Sequence, residues 1–315
     1  MTVLVTGGTG QLAQALGAAA PGRGIAVRVV GRPAFDFDRP DSLAEAVAAA
    51  NPSLVVNAAA YTAVDAAEGD ALAAWRANRD GPEILAALCR ERGIPLIHVS
   101  TDYVFDGLKG APYVETDPTA PQGVYGASKL GGEQAVLASG CRAIVLRTSW
   151  VYSHTGRNFV RTMLGAARKT NRLRVVADQI GCPTAAADLA DAVLAIVARL
   201  GADDRARLGA DDRARLGAED WRCEWGGVFH AAGAGFTSWH GLAVAAFAEA
   251  ARFGWPVPEV AAIATADWPT PVRRPPDSRL DCGKLARVFG VALPAWEAGL
   301  ARTIAALAAA GGLAG

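Results

Sequence analysis

Tyr125-Gly-Ala-Ser-Lys129 sets a phenol and an ammonium four residues apart. Carbonyl reduction calls for such a pair. A hydride goes to carbon, and the oxygen becomes an alkoxide that needs a proton. A tyrosine with pKa about 10 is mostly protonated at neutral pH and can donate. A cation one helical turn away lowers that pKa and favours transfer. Lys129 stands at that spacing and can also hold a nicotinamide ribose. Thr101, or Ser100, lies 24 or so residues earlier and can hydrogen-bond the carbonyl oxygen. Alone, such a tyrosine is more often a half-buried structural phenol, and such a lysine a solvated helix residue. Their place behind a glycine-rich turn, Gly7-Gly8-Thr9-Gly10, points instead to hydride transfer between a nicotinamide and a carbonyl.

That turn follows the first apolar run and precedes a helix. Gly7 permits a tight turn, and Gly10 lets backbone N–H groups approach a diphosphate. Ala13, where a third glycine is common, lets the helix pack close to its strand. The diphosphate then meets the helix N-terminus, whose N–H donors favour anions. The second strand ends Val29-Val30-Gly31-Arg32, with no carboxylate before Asp36. Arg32 can pair with a 2′-phosphate, so NADPH is the expected cofactor, with NADH possible. Asp36-Phe37 is placed to border the adenine. Asn57-Ala-Ala-Ala60 closes the third strand with small side chains that leave room beside the cofactor.

Alternating elements must position these residues. Thr2–Thr6, Ala26–Val30, Leu54–Asn57, Leu96–Ser100 and Ala143–Arg147 read as strands. Gln11–Ala20, Ser42–Ala50, Ala71–Arg92 and Ser128–Ala138 read as helices. The alternation predicts an α/β fold: a Rossmann-like, doubly wound parallel sheet with a smaller C-terminal substrate-binding lobe. The cofactor domain is expected over 1–150, with parts of 173–200 and 228–233 returning to it. Residues 151–315 form mainly the lobe. In such sheets ligands bind beyond the carboxyl ends of the strands. Within the lobe, Gly201–Leu208 recurs unchanged as Gly209–Leu216. This duplicated octapeptide insert (201–216) reads as a tolerated, solvated insert or as a partner-binding arm.

The bulk properties exclude several classes. The 315 residues can bury a large core, and 51% hydrophobic with 20% charged residues is a globular composition. Zero formal net charge provides no field for nucleic acid or an anionic membrane. Five scattered cysteines without C-x-x-C spacing suit reduced thiols in a cytoplasm. The four histidines form no zinc pattern. Met1-Thr-Val-Leu-Val5 enters a strand directly, without the marks of a signal peptide.

The chain resembles the extended short-chain dehydrogenase/reductases, and within them the dTDP-4-dehydrorhamnose reductases. The resemblance runs nearly end to end. Its segments are Thr6-Gly-Gly-Thr-Gly-Gln-Leu12, Val56-Asn-Ala-Ala-Ala-Tyr-Thr-Ala-Val-Asp-Ala-Ala-Glu68, Ser100-Thr-Asp-Tyr-Val-Phe105 and Val124-Tyr-Gly-Ala-Ser-Lys-Leu130. Beyond them come Arg147-Thr-Ser-Trp-Val-Tyr152, Gly156-Arg-Asn-Phe159, Asp178-Gln-Ile-Gly-Cys-Pro-Thr184 and Arg274-Pro-Pro-Asp-Ser-Arg-Leu280. The resemblance implies NADPH-dependent reduction of the 4-keto group of dTDP-4-dehydro-L-rhamnose to dTDP-L-rhamnose. It places Tyr125, Lys129 and Thr101 on the catalytic residues. Gln11, Leu12, Asp36, Phe37, Ala59, Ala60 and Tyr61 fall on cofactor contacts. Thr101, Asp102 and Trp150 fall on sugar-nucleotide contacts, with Val64 and Glu68 in the same pocket. Trp150 can stack a flat face on a sugar or base, or belong to the core. Arg273, Arg274 and Arg279 can meet a diphosphate or form a solvated basic loop. Two other readings keep the fold: a reductase of another dTDP-4-keto-deoxysugar, and a non-catalytic NADP-binding regulatory subunit. Some relatives dimerise around Mg²⁺ through carboxylates on the first helix and after the Pro-Thr segment. Gln14-Ala15 and Ala185-Ala186-Ala187 supply none, though Asp188 follows. No metal is therefore expected, and the chain is expected to be a monomer or weak homodimer.

Overall fold

Alternation within the short apolar runs builds a sheet with two buried faces. In β1 (Thr2–Thr6), Val3 and Val5 join one core cluster and Leu4 the other. In β3 (Leu54–Asn57), Leu54 and Val56 take the first side and Val55 the second. β2 (Ala26–Val30), β4 (Leu96–Thr101) and β5 (Ala143–Thr148) complete the expected set. Each fully buried Val or Leu contributes about 1.5–3 kcal/mol. The computed structural model describes residues 1–208 and 221–312. Residues 209–216, the second copy of the octapeptide, lie outside that set; the backbone of the first copy continues a helix, Ala186–Leu208.

The six-stranded sheet is parallel throughout, with β7 (Gly227–His230) at one edge. Its order is β7-β5-β4-β3-β1-β2. The chain leaves β1 for β2 on one side and returns to β3 on the other. This reversal is the switch point where open α/β sheets bind ligands. Helix α1 (Gln11–Ala19) packs with α7 (Ala186–Leu208) on one face. Helices α2 (Pro40–Ala50), α4 (Gly81–Glu91) and α5 (Val124–Ala138) cover the other.

Three local departures from the sequence expectations have physical causes. The segment 71–92 is not one uniform helix. It runs as α3 (Ala71–Trp75), a π turn (Arg76–Asp80) and α4. Pro82 has no N–H for the Asn78 carbonyl, so the ladder widens ahead of it. The Asn78 carbonyl lies beside Gly132 of α5, where an added Cβ would sit 2.0 Å from it. Second, α5 starts at Val124, which puts Tyr125 in its first turn. Gly123 supplies no capping side chain, so the start carried no sequence signal. Third, the 173–176 run does not return to the main sheet. As part of β6 (Arg172–Val176) it pairs in parallel with β8 (Glu259–Ile263). A strand-like run fixes its faces but not its partner.

This β6/β8 pair belongs to a second core. It is formed with α6 (Phe159–Ala167), α8 (Trp239–Ala251) and α9 (Trp296–Ala309), whose buried residues include Leu164, Phe247 and Ile304. Among the described residues no helix is long and apolar enough to cross a membrane, and no His/Cys/Asp/Glu group is arranged for a metal.

Candidate active site

A cleft of about 1020 Å³ opens over the carboxyl ends of β1, β3 and β4, lined by both cores. The loops after β1, β2 and β3 meet there through backbone. Gly7 has φ +107°, and a Cβ on it would lie 2.9 Å from the Ala58 carbonyl oxygen. A Cβ on Gly31 would come within 2.6 Å of the Gly8 Cα. Side chains at these positions would force the loops apart, so the glycines let three backbones close up into a cradle whose exposed N–H groups fit a ligand's diphosphate. The Gly8 N–H donates to the Val30 carbonyl (2.9 Å), and the Gly10 N–H to the Gly7 carbonyl (2.8 Å). The first turn of α1 carries no side-chain cap, which leaves its N–H donors facing the cleft.

Below the cradle a polar chain ties three strands together. The Thr6 hydroxyl donates to Asn57 Oδ1 (2.6 Å), and Asn57 Nδ2 pairs with His98 Nδ1 (3.0 Å). Burial first, then the nearby Lys129 charge, hold His98 well below its usual pKa, so it is neutral. Asn57 therefore does more than leave room. It fixes the strand ends from which Ala59 and Ala60 project.

The expected chemical groups converge. Thr101 ends β4, and Tyr125 and Lys129 lie on successive turns of α5; all three line the cleft. Tyr125 packs edge-on against Tyr103, with ring centroids 5.6 Å apart. The Lys129 ammonium donates to the Val99 carbonyl (2.6 Å) and is almost fully buried. Burial pulls its pKa down to about 8, while Glu133 opposes the shift. Burial pushes the Tyr125 phenol up to about 12, and the Thr101 hydroxyl opposes this. Lys129 lowering the phenol's pKa was the sequence expectation. Here the ammonium is engaged by Val99, and burial dominates the phenol.

Behind Lys129 lies a charged pair that no motif announced. Glu133 accepts from Arg147 Nε (2.9 Å) and Nη2 (2.7 Å), and from the Ser100 hydroxyl (2.5 Å). Glu133 follows Lys129 by one helical turn, so the i, i+4 spacing was its only signal. Asn78 also escaped notice. Its side chain bonds Tyr61 N (2.8 Å), Tyr61 O (3.0 Å) and the Ser128 hydroxyl (3.0 Å), pinning the Tyr61 loop to α5.

At the substrate end, Asp102 is buried and accepts from the Ser149 hydroxyl (2.9 Å) and Thr101 (3.1 Å). Burial raises its pKa, against those bonds. Trp150 takes a left-handed backbone (φ +48°), uncommon for a bulky residue. One indole face stacks on Trp239 at 3.5 Å, and Gly181 presses so close that a Cβ there would meet the ring at 2.5 Å. Trp150 therefore offers the cleft an edge, not a free face. Val64 lines the cleft, but Glu68 does not. Glu68 Oε1 instead accepts the Val124 N–H (2.7 Å), capping the helix of Tyr125. Of the three arginines, Arg274 lines the cleft and pairs with Asp65 (2.9 Å). Arg279 pairs with Asp277 (2.6 Å) under the Phe236 ring, and neither Arg273 nor Arg279 lines the cleft.

At the other end Gly7, Gly10, Gln11, Leu12, Arg32, Phe37, Ala59, Ala60 and Tyr61 all line the cleft. Asp36 does not; its carboxylate accepts from Arg32 Nε (2.8 Å). Asn158 and Trp239 line it from the second core, with Asn158 Nδ2 donating to Gln11 Oε1 (3.0 Å). Both lie far along the chain from the glycine turn; Asn158 falls within the Gly156–Phe159 segment of the resemblance, whereas nothing in the sequence marked Trp239.

The family model described as the RmlD substrate binding domain matches residues 1–309. A dTDP-4-dehydrorhamnose reductase of Sinorhizobium fredii is 43% identical over 307 residues, covering 98% of each chain. A crystal structure of a dTDP-4-dehydrorhamnose reductase from Clostridium acetobutylicum superposes with a TM-score of 0.84 at 31% identity. That match covers 98% of this chain and 100% of the other. The Bacillus anthracis dTDP-4-dehydrorhamnose reductase, solved in complex with NADP, has a TM-score of 0.83 and 29% identity, covering 97% and 99%.

Proposed function

The chain belongs to the RmlD substrate-binding-domain family, and from that we propose that it is the NADPH-dependent reductase that converts dTDP-4-dehydro-L-rhamnose to dTDP-L-rhamnose. One observation carries the reading: Thr101, Tyr125 and Lys129 face a single cleft whose other end is the glycine cradle. Bound NADPH supplies the hydride; NADH can replace it. Gly7, Gly10, Gln11 and Leu12 hold the diphosphate on the N-terminus of α1. Phe37, Ala59, Ala60 and Tyr61 flank the cofactor, and Lys129 holds the nicotinamide ribose.

Thr101 orients the sugar carbonyl by hydrogen bonding its oxygen. Tyr125 donates its proton to that oxygen as charge develops on it. The Lys129 ammonium offsets the phenolate that remains. Asp102, Val64 and the Trp150 edge shape the sugar site. The high pKa of the buried phenol supports a donor that is fully protonated at neutral pH. Its partner is a small nucleotide sugar, with no nucleic acid or membrane involved. We place the protein in the cytoplasm, where its five free thiols persist, as a monomer or weak homodimer.

The configuration of the product at C4 tests the substrate assignment. Incubation with NADPH and dTDP-4-dehydro-L-rhamnose should yield the L-rhamno product by NMR. The C4 epimer, or faster turnover of a different dTDP-4-keto sugar, would overturn that assignment.

A further inference from the structure

Four charges form an unusual group beside the adenosine end of the cleft, which Arg32 alone of the four lines. Arg32 Nη2 and Arg76 Nη1 both donate to Asp38, one to each oxygen, at 2.7 and 2.5 Å. Arg32 Nε also reaches Asp36 (2.8 Å). The Arg32, Arg76 and Asp38 side chains are 67, 48 and 44% exposed. Ion pairs this exposed contribute little to stability. Fold stability therefore does not account for two guanidinium groups on one carboxylate.

Position does. Arg32 directly follows Gly31 and β2, where this class of fold meets the 2′ position of the adenosine ribose. Arg76 arrives from the opposite side as the first residue of the π turn, a feature over-represented at functional sites. The end of that turn is pressed onto the 35–38 loop: the Phe37 ring lies 2.1 Å from where a Cβ of Gly81, the next residue, would sit. Arg76 is thereby held over Asp38. Two planar guanidinium groups spanning the two oxygens of one anion is also how a phosphate monoester is gripped.

We propose that Arg76 is the second arm of a 2′-phosphate clamp whose first arm is Arg32. Asp38 is the resident anion that occupies the clamp until a 2′-phosphate displaces it. The assignment rests on the cofactor reading above and makes Arg76 and Asp38 specificity-determining residues. It also leaves NADH usable on the same scaffold. Without a 2′-phosphate, Asp38 and Asp36 together balance the two arginines, and no unpaired cation is left facing a bare ribose hydroxyl.

Calorimetric titration of the full-length protein with 2′,5′-ADP and with 5′-ADP tests this without turnover. The ratio of the two Kd values is the readout. Arg76→Ala should weaken 2′,5′-ADP about fivefold, the size expected for a half-exposed charge pair, and 5′-ADP by less. Asp38→Asn should tighten 2′,5′-ADP by a similar factor, because the competing anion is gone. An Arg76→Ala variant that weakens both nucleotides equally overturns the proposal, as does an Asp38→Asn variant with the wild-type ratio. A folded wild-type protein that binds neither nucleotide overturns the cofactor reading itself, a result distinct from an unmoved ratio.

Discussion

At the scale of single residues, we propose that the chemistry depends on two titratable groups with opposite shifts, the half-buried Tyr125 and the buried Lys129. Burial holds Lys129 at about 8 and Tyr125 at about 12. Lys129 is therefore charged below pH 8 and increasingly neutral above it, while Tyr125 stays protonated. If the ammonium assists the phenol, kcat/KM for reduction declines as pH rises through about 8. A profile flat from about pH 7 to 10 would show that the lysine charge has no part in the step. A second prediction concerns Trp150, held between Trp239 and Gly181. Gly181→Ala should displace the indole and raise KM for the nucleotide sugar by about tenfold, while the Kd of NADPH stays near wild type. An unchanged sugar KM would mean the Trp150 edge does not shape that pocket. Tyr125, Lys129 and Thr101 were legible because donor chemistry needs those side-chain types at those spacings. Asn78, Trp239 and the bonds of Asn57 to Thr6 and His98 were not, because these partners are remote in sequence.

At the scale of elements, the first five strands of the main sheet were read almost to the residue, because β1, β3, β4 and β5 turn side chains to two buried faces and β2 is rich in valine; β8 was not read. Helix starts were harder. The helix that carries Tyr125 begins at Val124, and its cap comes from Glu68, in a different element. Local sequence around residue 123 holds no trace of that. Glu68→Ala should cost about 1 kcal/mol in chemical denaturation, as a lost helix cap does, while Glu68→Gln retains an acceptor and most of the stability. Equal losses in the two variants would argue that charge rather than the Val124 bond is what matters. The π turn was likewise hidden within a good helical pattern, although Pro82 held the clue.

At the scale of the molecule, we propose a division into a cofactor part, residues 1–150 with the Ala186–Leu208 helix and β7, and a substrate lobe formed by most of the rest. The glycine turn announced the first part. The lobe was legible only as a break in rhythm, because the pairing of β6 with β8 joins segments more than 80 residues apart. Within the first part, Glu133 and Arg147 form an almost fully buried ion pair between α5 and β5. Replacing Arg147 by Met strands a buried carboxylate and should lower unfolding free energy by about 3–5 kcal/mol in urea titration. A loss below about 1 kcal/mol would mean that Glu133 takes up a proton or finds another partner.

The central claim is that the Tyr125 hydroxyl protonates the C4 oxygen of the sugar as hydride arrives. The most direct test compares single-turnover NADPH oxidation by wild type and Tyr125→Phe, with dTDP-4-dehydro-L-rhamnose as substrate and the NADPH Kd measured in parallel. The variant should bind NADPH as the wild type does and turn over about 10²- to 10⁴-fold more slowly. Turnover near the wild-type rate in that variant would contradict the claim.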